Sequence, residues 1–181
     1  GDALQAAAFE ILAHPDTHPD ANVRTELIRK LAIASGAQGM CGGQMIDLEA
    51  EHRQLDIGAI TRLQRMKTGA LIAFSAEAGA ILGKVASPSR HALQAYAHDL
   101  GLAFQIADDL LDAEGSTAEV GKKTGKDAAR GKATFVSILG VERARTQALL
   151  LADQAAVHLD LFGEKADLLR DVAHWIVERR A

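Results

Sequence analysis

The sequence holds a single cysteine, Cys41, so no disulfide can form within the chain, and a reducing compartment, the cytoplasm, is the expected setting. Proline is scarce at three residues in 181, and aromatic residues make up only 4%. Alternating β-branched runs are absent, which argues against sheet. No apolar run reaches the roughly 18 residues that a bilayer span requires. The best stretch, 70–82, is interrupted by Ser75 and Glu77. Positive charge is not in excess either. The net charge is −4, and no basic reading helix or aromatic platform is visible, so nucleic acid is excluded as an expected partner. Among the seven histidines, His91 and His98 stand seven apart and read as surface or interhelical residues. No Ser-His-Asp pattern and no glycine-rich dinucleotide fingerprint appear. Neither a secretory signal nor an initiator Met opens the chain, and Gly1-Asp2-Ala3-Leu4-Gln5 reads as the start of a helix inside a longer protein.

Alanine and leucine dominate what is there, and this composition predicts an all-α domain spanning 1–181. Asp2 can cap a first helix running to about Ala13. Pro15 and Pro19, among Asp16, Asp20 and Asn22, mark a turn. Asn22 is the expected cap of a second helix with Leu27, Ile28, Leu31 and Ile33 on its apolar side. Gly36, Gly39, Gly42 and Gly43 crowd the next stretch. Each costs about 1 kcal/mol inside a helix. Two readings stand: a close backbone approach to a neighbour, or a break. Asp56 then caps a long helix over 57–84. Ser87-Pro88 starts another, expected to run to Ala113 and end at Gly115. The stretch 114–133 reads as a loop, and two or three helices fill 134–180 with a break near Gly163.

Chemistry concentrates in a few phrases. In Phe104-Gln105-Ile106-Ala107-Asp108-Asp109-Leu110-Leu111-Asp112, helical spacing puts Asp108 one turn from Asp112 on the same face. Asp109 neighbours Asp112 at i,i+3, so three carboxylates are expected to gather near one point. Lying close to a helix C-terminus, they call for a cation. Hard oxygen ligands suit Mg²⁺, which typically takes one or two carboxylates together with phosphate oxygens and water. The alternative is a solvated acidic face. The following segment interleaves Lys122, Lys123, Lys126, Arg130 and Lys132 with Gly121, Gly125 and Gly131, a composition that can fold over a polyanion. It lacks the order of a P-loop.

Lys67-Thr68-Gly69 falls mid-helix. Lys67 either snorkels to water or reaches a diphosphate. The Thr68 hydroxyl either bonds to its own helix or, with a carbonyl freed by a kink at Gly69, faces a developing cation. Gln44 and Asp47 share a face at i,i+3 and either line the same cavity or bond to neighbouring helices.

Taken together, Gly1-Asp2-Ala3-Leu4-Gln5, Gly43-Gln44-Met45-Ile46-Asp47-Leu48, Lys67-Thr68-Gly69, the Phe104 to Asp112 phrase, and Gly121-Lys122 with Gly131-Lys132-Ala133-Thr134 resemble the polyprenyl synthetase family. The bacterial farnesyl diphosphate synthases are the nearest branch. The phrases stand in family order along nearly the whole chain. The resemblance implies a bundle of long helices around a central cavity, the isoprenoid synthase fold, here incomplete. It implies Asp108, Asp109 and Asp112 as metal ligands, within a set of three Mg²⁺ ions in the complete enzyme. It implies Lys67 and Lys122 at the allylic diphosphate, Thr68 and Gln105 beside the reacting allylic carbon, and Gln44, Asp47 and Lys132 as further substrate-binding residues. The implied substrates are an allylic diphosphate and isopentenyl diphosphate, and a homodimer is the implied assembly. The family's first aspartate-rich motif, its arginine pair and its isopentenyl diphosphate site lie upstream of the phrase at Gly1 and have no counterpart here. The chain alone is therefore expected to be inactive. Farnesyl diphosphate is the expected product, with geranylgeranyl diphosphate, a terpene cyclase, or a non-catalytic subunit of a heteromeric synthase as the rivals.

Overall fold

The computed structural model describes residues 1–50, 55–118 and 134–179, and every element among the described residues is helical. In chain order these are α1 (Asp2–Ala13), α2 (Ala21–Ser35), α3 (Met40–Ala50), α4 (Ile57–Gln64), a π-helical turn (Arg65–Gly69), α5 (Ala70–Leu82), α6 (Ser87–Ala118), α7 (Phe135–Leu139), α8 (Val141–Val157), a 3₁₀ segment (Asp160–Ala166) and α9 (Asp167–Glu178).

α6 is the axis. Its 32 residues extend about 48 Å at 1.5 Å per residue. Its middle packs against α8 through an alanine stripe. Ala144, Ala148, Ala152 and Ala155 recur at helical spacing, are nearly fully buried, and let the two helices approach closely. Ile60, Ile106, Leu110, Phe135 and Leu151 fill one core cluster on this seam. Tyr96, Leu100, Leu159, Ala173 and Ile176 fill a second between α6, α8 and α9. A smaller third joins Val23 and Leu27 of α2 to Ile81 of α5. Polar links tie α2 to α5 and α6: Lys30 Nζ lies 2.7 Å from Glu77, and Arg90 bridges Glu26 at 2.5 Å and Glu77 at 3.5 Å. No helix is long and apolar enough to cross a membrane among the described residues.

Several local expectations are corrected. The cap of α2 is Asp20, whose side chain accepts from Asn22 N at 2.9 Å, so Asn22 is inside the helix rather than at its cap. Both residue types accept well at this position, and only the chain's entry angle decides between them. Asp2 does not cap α1 through its side chain; Gly1 precedes the helix and Asp2 sits in its first turn, where a carboxylate favours the dipole. Leu27 and Leu31 are buried on α2, whereas Ile33 is 45% exposed. α6 starts at Ser87 and passes through Gly115 to Ala118. A lone glycine lowers helix stability but does not end a helix that tertiary packing holds.

The glycine-rich stretch realises both readings in turn. The chain breaks after Ser35, with Gly39 N donating to Gly36 O at 3.0 Å, and α3 resumes at Met40. Gly43 then makes the close approach described below. Asp56 caps α4, its Oδ1 accepting from Ala59 N at 2.7 Å. The break near Gly163 is present, with the glycine at φ 58°. A side chain is disfavoured at that φ.

Candidate active site

The π-turn is the first piece of the site. Lengthening the hydrogen-bond step by one residue widens the helix, re-aims the side chains over 65–69 and loosens the regular ladder, a feature common at functional positions. It sits where a kink at Gly69 was expected, but as a bulge with helical dihedrals (Gly69 φ −61°, ψ −33°) rather than a bend. α3 holds it from one side. A Cβ on Gly43 would lie 2.3 Å from Lys67 N and 2.6 Å from Lys67 Cα, so only glycine permits this contact. α6 holds it from the other side, where a Cβ on Gly101 would come within 3.2 Å of Gly69 Cα.

This clamp directs Lys67 and Thr68 into a cavity of about 270 Å³ lined also by Asp47, Gln64, Phe104, Gln105, Asp108, Asp109 and Thr134, with Leu55, Ile60 and Leu63 as apolar wall. Lys67 Nζ is 2.6 Å from Asp47 Oδ2. Thr68 Oγ1 donates to Gln105 Oε1 at 3.2 Å. Gln105 Nε2 donates to Asp109 Oδ1 at 3.3 Å, and Asp109 Oδ2 accepts from Phe135 N at 2.9 Å. A larger cavity, about 670 Å³, opens on the flank of α4 and the π-turn that carries Arg62, Arg65 and Met66, and its lining includes no carboxylate among the described residues.

The three aspartates do not converge. Asp108 faces the cavity with its side chain 59% exposed, and Oδ1 lies 3.5 Å from Arg179 Nη2. Asp109 is buried and turned toward α7. Asp112 is half-buried and outside the cavity lining. Among the described residues no three His, Cys, Asp or Glu side chains come close enough to share an ion. The helix-end argument weakens too, because α6 continues to Ala118 and a helix dipole acts mainly over the last turn. What remains fits a magnesium site of the sparse kind: one exposed carboxylate with another one turn on, in a cavity that a lysine also lines, with the rest of the coordination left to phosphate and water.

Gln44 and Asp47 part company. Asp47 is buried against Lys67, while Gln44 is exposed and borders a separate groove with Met40, Cys41, Met45 and Leu48, which Lys67 and Thr68 also reach. Lys122 and Lys132, with the rest of the basic segment, lie outside the described residues. Arg179 was not among the sequence candidates. It stacks 4.6 Å over the Phe104 ring and lies beside Asp108, and its one sequence signal is the basic pair Arg179-Arg180. Its Nε is buried with no hydrogen-bond partner among the described residues.

The family model for polyprenyl synthetase matches residues 1–167. The chain belongs to the polyprenyl synthetase family. The farnesyl diphosphate synthase of Escherichia coli (strain K12) is 42% identical to this polyprenyl synthetase chain over 185 residues, spanning 99% of it and 62% of the relative. An apo structure of an FPP/GFPP synthase from Zymomonas mobilis superposes with a TM-score of 0.86 at 55% identity, over 97% of this chain and 58% of that one. A geranyltransferase from Helicobacter pylori, complexed with magnesium and isoprenyl diphosphate, gives 0.79 at 31% identity, over 97% and 57%. The polyprenyl synthetase chain thus has the all-α isoprenoid synthase fold and spans about three-fifths of the length of the relatives it matches.

Proposed function

We propose that this chain is the C-terminal part of the catalytic domain of a trans-prenyltransferase. The reaction joins an allylic diphosphate to isopentenyl diphosphate, with farnesyl diphosphate as product. The observation that carries the reading is the convergence of Lys67, Thr68, Gln105 and Asp108 on one cavity from two different helices. Likeness to synthases of this name, one of them solved with magnesium and isoprenyl diphosphate, supports it.

Lys67 binds the diphosphate of the allylic substrate, leaving Asp47 as the group that holds its ammonium in place beforehand. Asp108, with Asp112 one turn on along the same helix, would hold Mg²⁺, which would neutralise diphosphate charge and improve it as a leaving group. When the allylic carbon–oxygen bond breaks, positive charge develops near Thr68 and Gln105. Thr68 spends its proton on Gln105, and Gln105 directs its NH₂ to Asp109, so both side chains keep oxygen lone pairs for that charge. Leu55, Ile60, Leu63 and Phe104 keep water from the cation. The isopentenyl double bond then forms the new carbon–carbon bond, and a proton leaves to the departed diphosphate. No side-chain nucleophile is needed. Lys122 and Lys132 are assigned to the same diphosphate, Gln44 to the neighbouring groove, and a homodimer and a cytoplasmic location complete the reading.

In a complete synthase carrying this chain, Asp108→Ala should lower turnover by about a thousandfold or more, the scale of losing metal-borne charge stabilisation, with the helical circular dichroism retained. Near-normal turnover would reject the assignment. The 181-residue chain alone should show no condensation. Product formation without isopentenyl diphosphate would instead mark a terpene cyclase.

A further inference from the structure

Four groups from three separate elements form one directed hydrogen-bond chain. Phe135 N–H at the first turn of α7 donates to Asp109 Oδ2 at 2.9 Å, Gln105 Nε2 donates to Asp109 Oδ1 at 3.3 Å, and Thr68 Oγ1 on the π-turn donates to Gln105 Oε1 at 3.2 Å. Its direction is set at Asp109. A carboxylate only accepts. A flipped Gln105 amide would press its oxygen against that carboxylate and turn its NH₂ toward Thr68. The hydroxyl of Thr68 would then become an acceptor, and both oxygens would cease to present lone pairs to the cavity together. Burial sharpens the effect: Asp109 is only 8% exposed, and charge-assisted hydrogen bonds strengthen where water is excluded.

We propose that Asp109 is a positioning residue, with a task different from that of its neighbour Asp108: it locks the Gln105 amide and anchors the start of α7, so that the oxygens of Gln105 and Thr68 face the reacting carbon. The assignment of those two oxygens to a developing cation rests on the function proposed above; the anchoring of α7 does not. The consequence is a division of labour within Asp108-Asp109. Asp108, 59% exposed on the cavity wall, responds to metal, and Asp109 responds to the orientation of the amide.

The test has two arms. In the metal-free 181-residue chain, amide hydrogen exchange at Phe135 is compared in wild type, Asp109→Asn, Asp109→Ala and Asp108→Asn. Asp109→Ala should speed exchange about tenfold, the value of one lost buried hydrogen bond. Asp109→Asn, whose Oδ1 still accepts, should change it by less than about threefold, and Asp108→Asn should leave it unchanged. Unaltered exchange in Asp109→Ala would overturn the anchor. In a complete synthase carrying the chain, Asp109→Asn allows the Gln105 amide to flip. It should cut kcat about a hundredfold, as for loss of one preorganised dipole, with KM and the half-saturating Mg²⁺ concentration within about twofold. Asp108→Asn should raise the half-saturating Mg²⁺ concentration. If Asp109→Asn raises it as far as Asp108→Asn does, Asp109 is a ligand and the division of labour fails. If neither variant loses activity, the prenyltransferase reading fails instead, whatever the exchange data show.

Discussion

The clamp on the π-turn gives a graded test in three helical glycines. A Cβ at Gly79 of α5 would meet nothing within 4 Å, one at Gly101 would meet Gly69 Cα at 3.2 Å, and one at Gly43 would meet Lys67 N at 2.3 Å. Replacing glycine by alanine inside a helix contributes about 1 kcal/mol of stability through backbone entropy. Gly79→Ala should show that gain in full. At Gly101 the neighbouring helix must yield by a few tenths of an ångström, which offsets most of the gain, so stability should stay within about 0.5 kcal/mol of wild type. At Gly43 the new carbon would sit roughly 1 Å inside ordinary contact with main-chain atoms that cannot rotate away. Overpacking of that kind costs about 3 kcal/mol, leaving a net loss near 2 kcal/mol, or a fall in Tm of about 4–8 °C for a chain of this size. Urea denaturation should therefore rank the variants Gly79→Ala, wild type with Gly101→Ala, then Gly43→Ala, with shared slopes and shifted midpoints. Because the strain falls on the backbone of Lys67, a complete synthase carrying Gly43→Ala should lose about a hundredfold in kcat/KM, the effect of a displacement near 1 Å at a reacting centre. A Gly43→Ala chain as stable as Gly79→Ala would refute the contact between α3 and the π-turn.

Two further outcomes test the burial of Tyr96 on α6 and the cap of α4. Tyr96, the one tyrosine of the chain, is buried, donates to Leu169 O at 2.8 Å, and has its pKa pushed up by burial to about 12. An unfolded tyrosine titrates near 10, so above that pH the unfolded state gains by losing a proton that the folded state keeps. Stability from this group is therefore fully present below about pH 10 and falls by about 2–3 kcal/mol as pH rises through about 12. Near-ultraviolet tyrosinate absorbance should show a midpoint close to 12 while the chain remains helical, and a midpoint near 10 in folded protein would contradict the burial. Asp56→Ala removes the side chain that accepts from Ala59 N and should lower stability by about 1 kcal/mol, while Asp56→Asn, which can still accept, should recover most of it.

How far the residues reveal this arrangement depends on the range of the contact concerned. The all-helical character, the cap at Asp56, the interruption at Gly163 and the apolar burial of Leu27 and Leu31 follow from neighbours a few residues apart, and all are present among the described residues. Gln105, Asp108 and Lys67, which line one cavity, stand out in sequence for the same reason, since their phrases are local. The π-turn could not: its residues keep ordinary helical dihedrals at Gly69, and what marks it is the main chain of Gly43, 24 positions before Lys67 in sequence and in contact only after folding. Asp109 is the sharper case. Its spacing with Asp108 and Asp112 argues for three equivalent ligands, yet its partner Phe135 N lies 26 residues on, and the approach of α7 turns the carboxylate away from its neighbours. Likewise Gln44 and Asp47 share a helix face by spacing, but Lys67 wedges between their two cavities and buries only one of them. Identical side chains one residue apart thus acquire different surroundings from whichever element reaches them. For a candidate site built across α3, the π-turn, α6 and α7, local pattern singles out the residues, and the non-local backbone contacts at Gly43 and Phe135 set where each side chain faces.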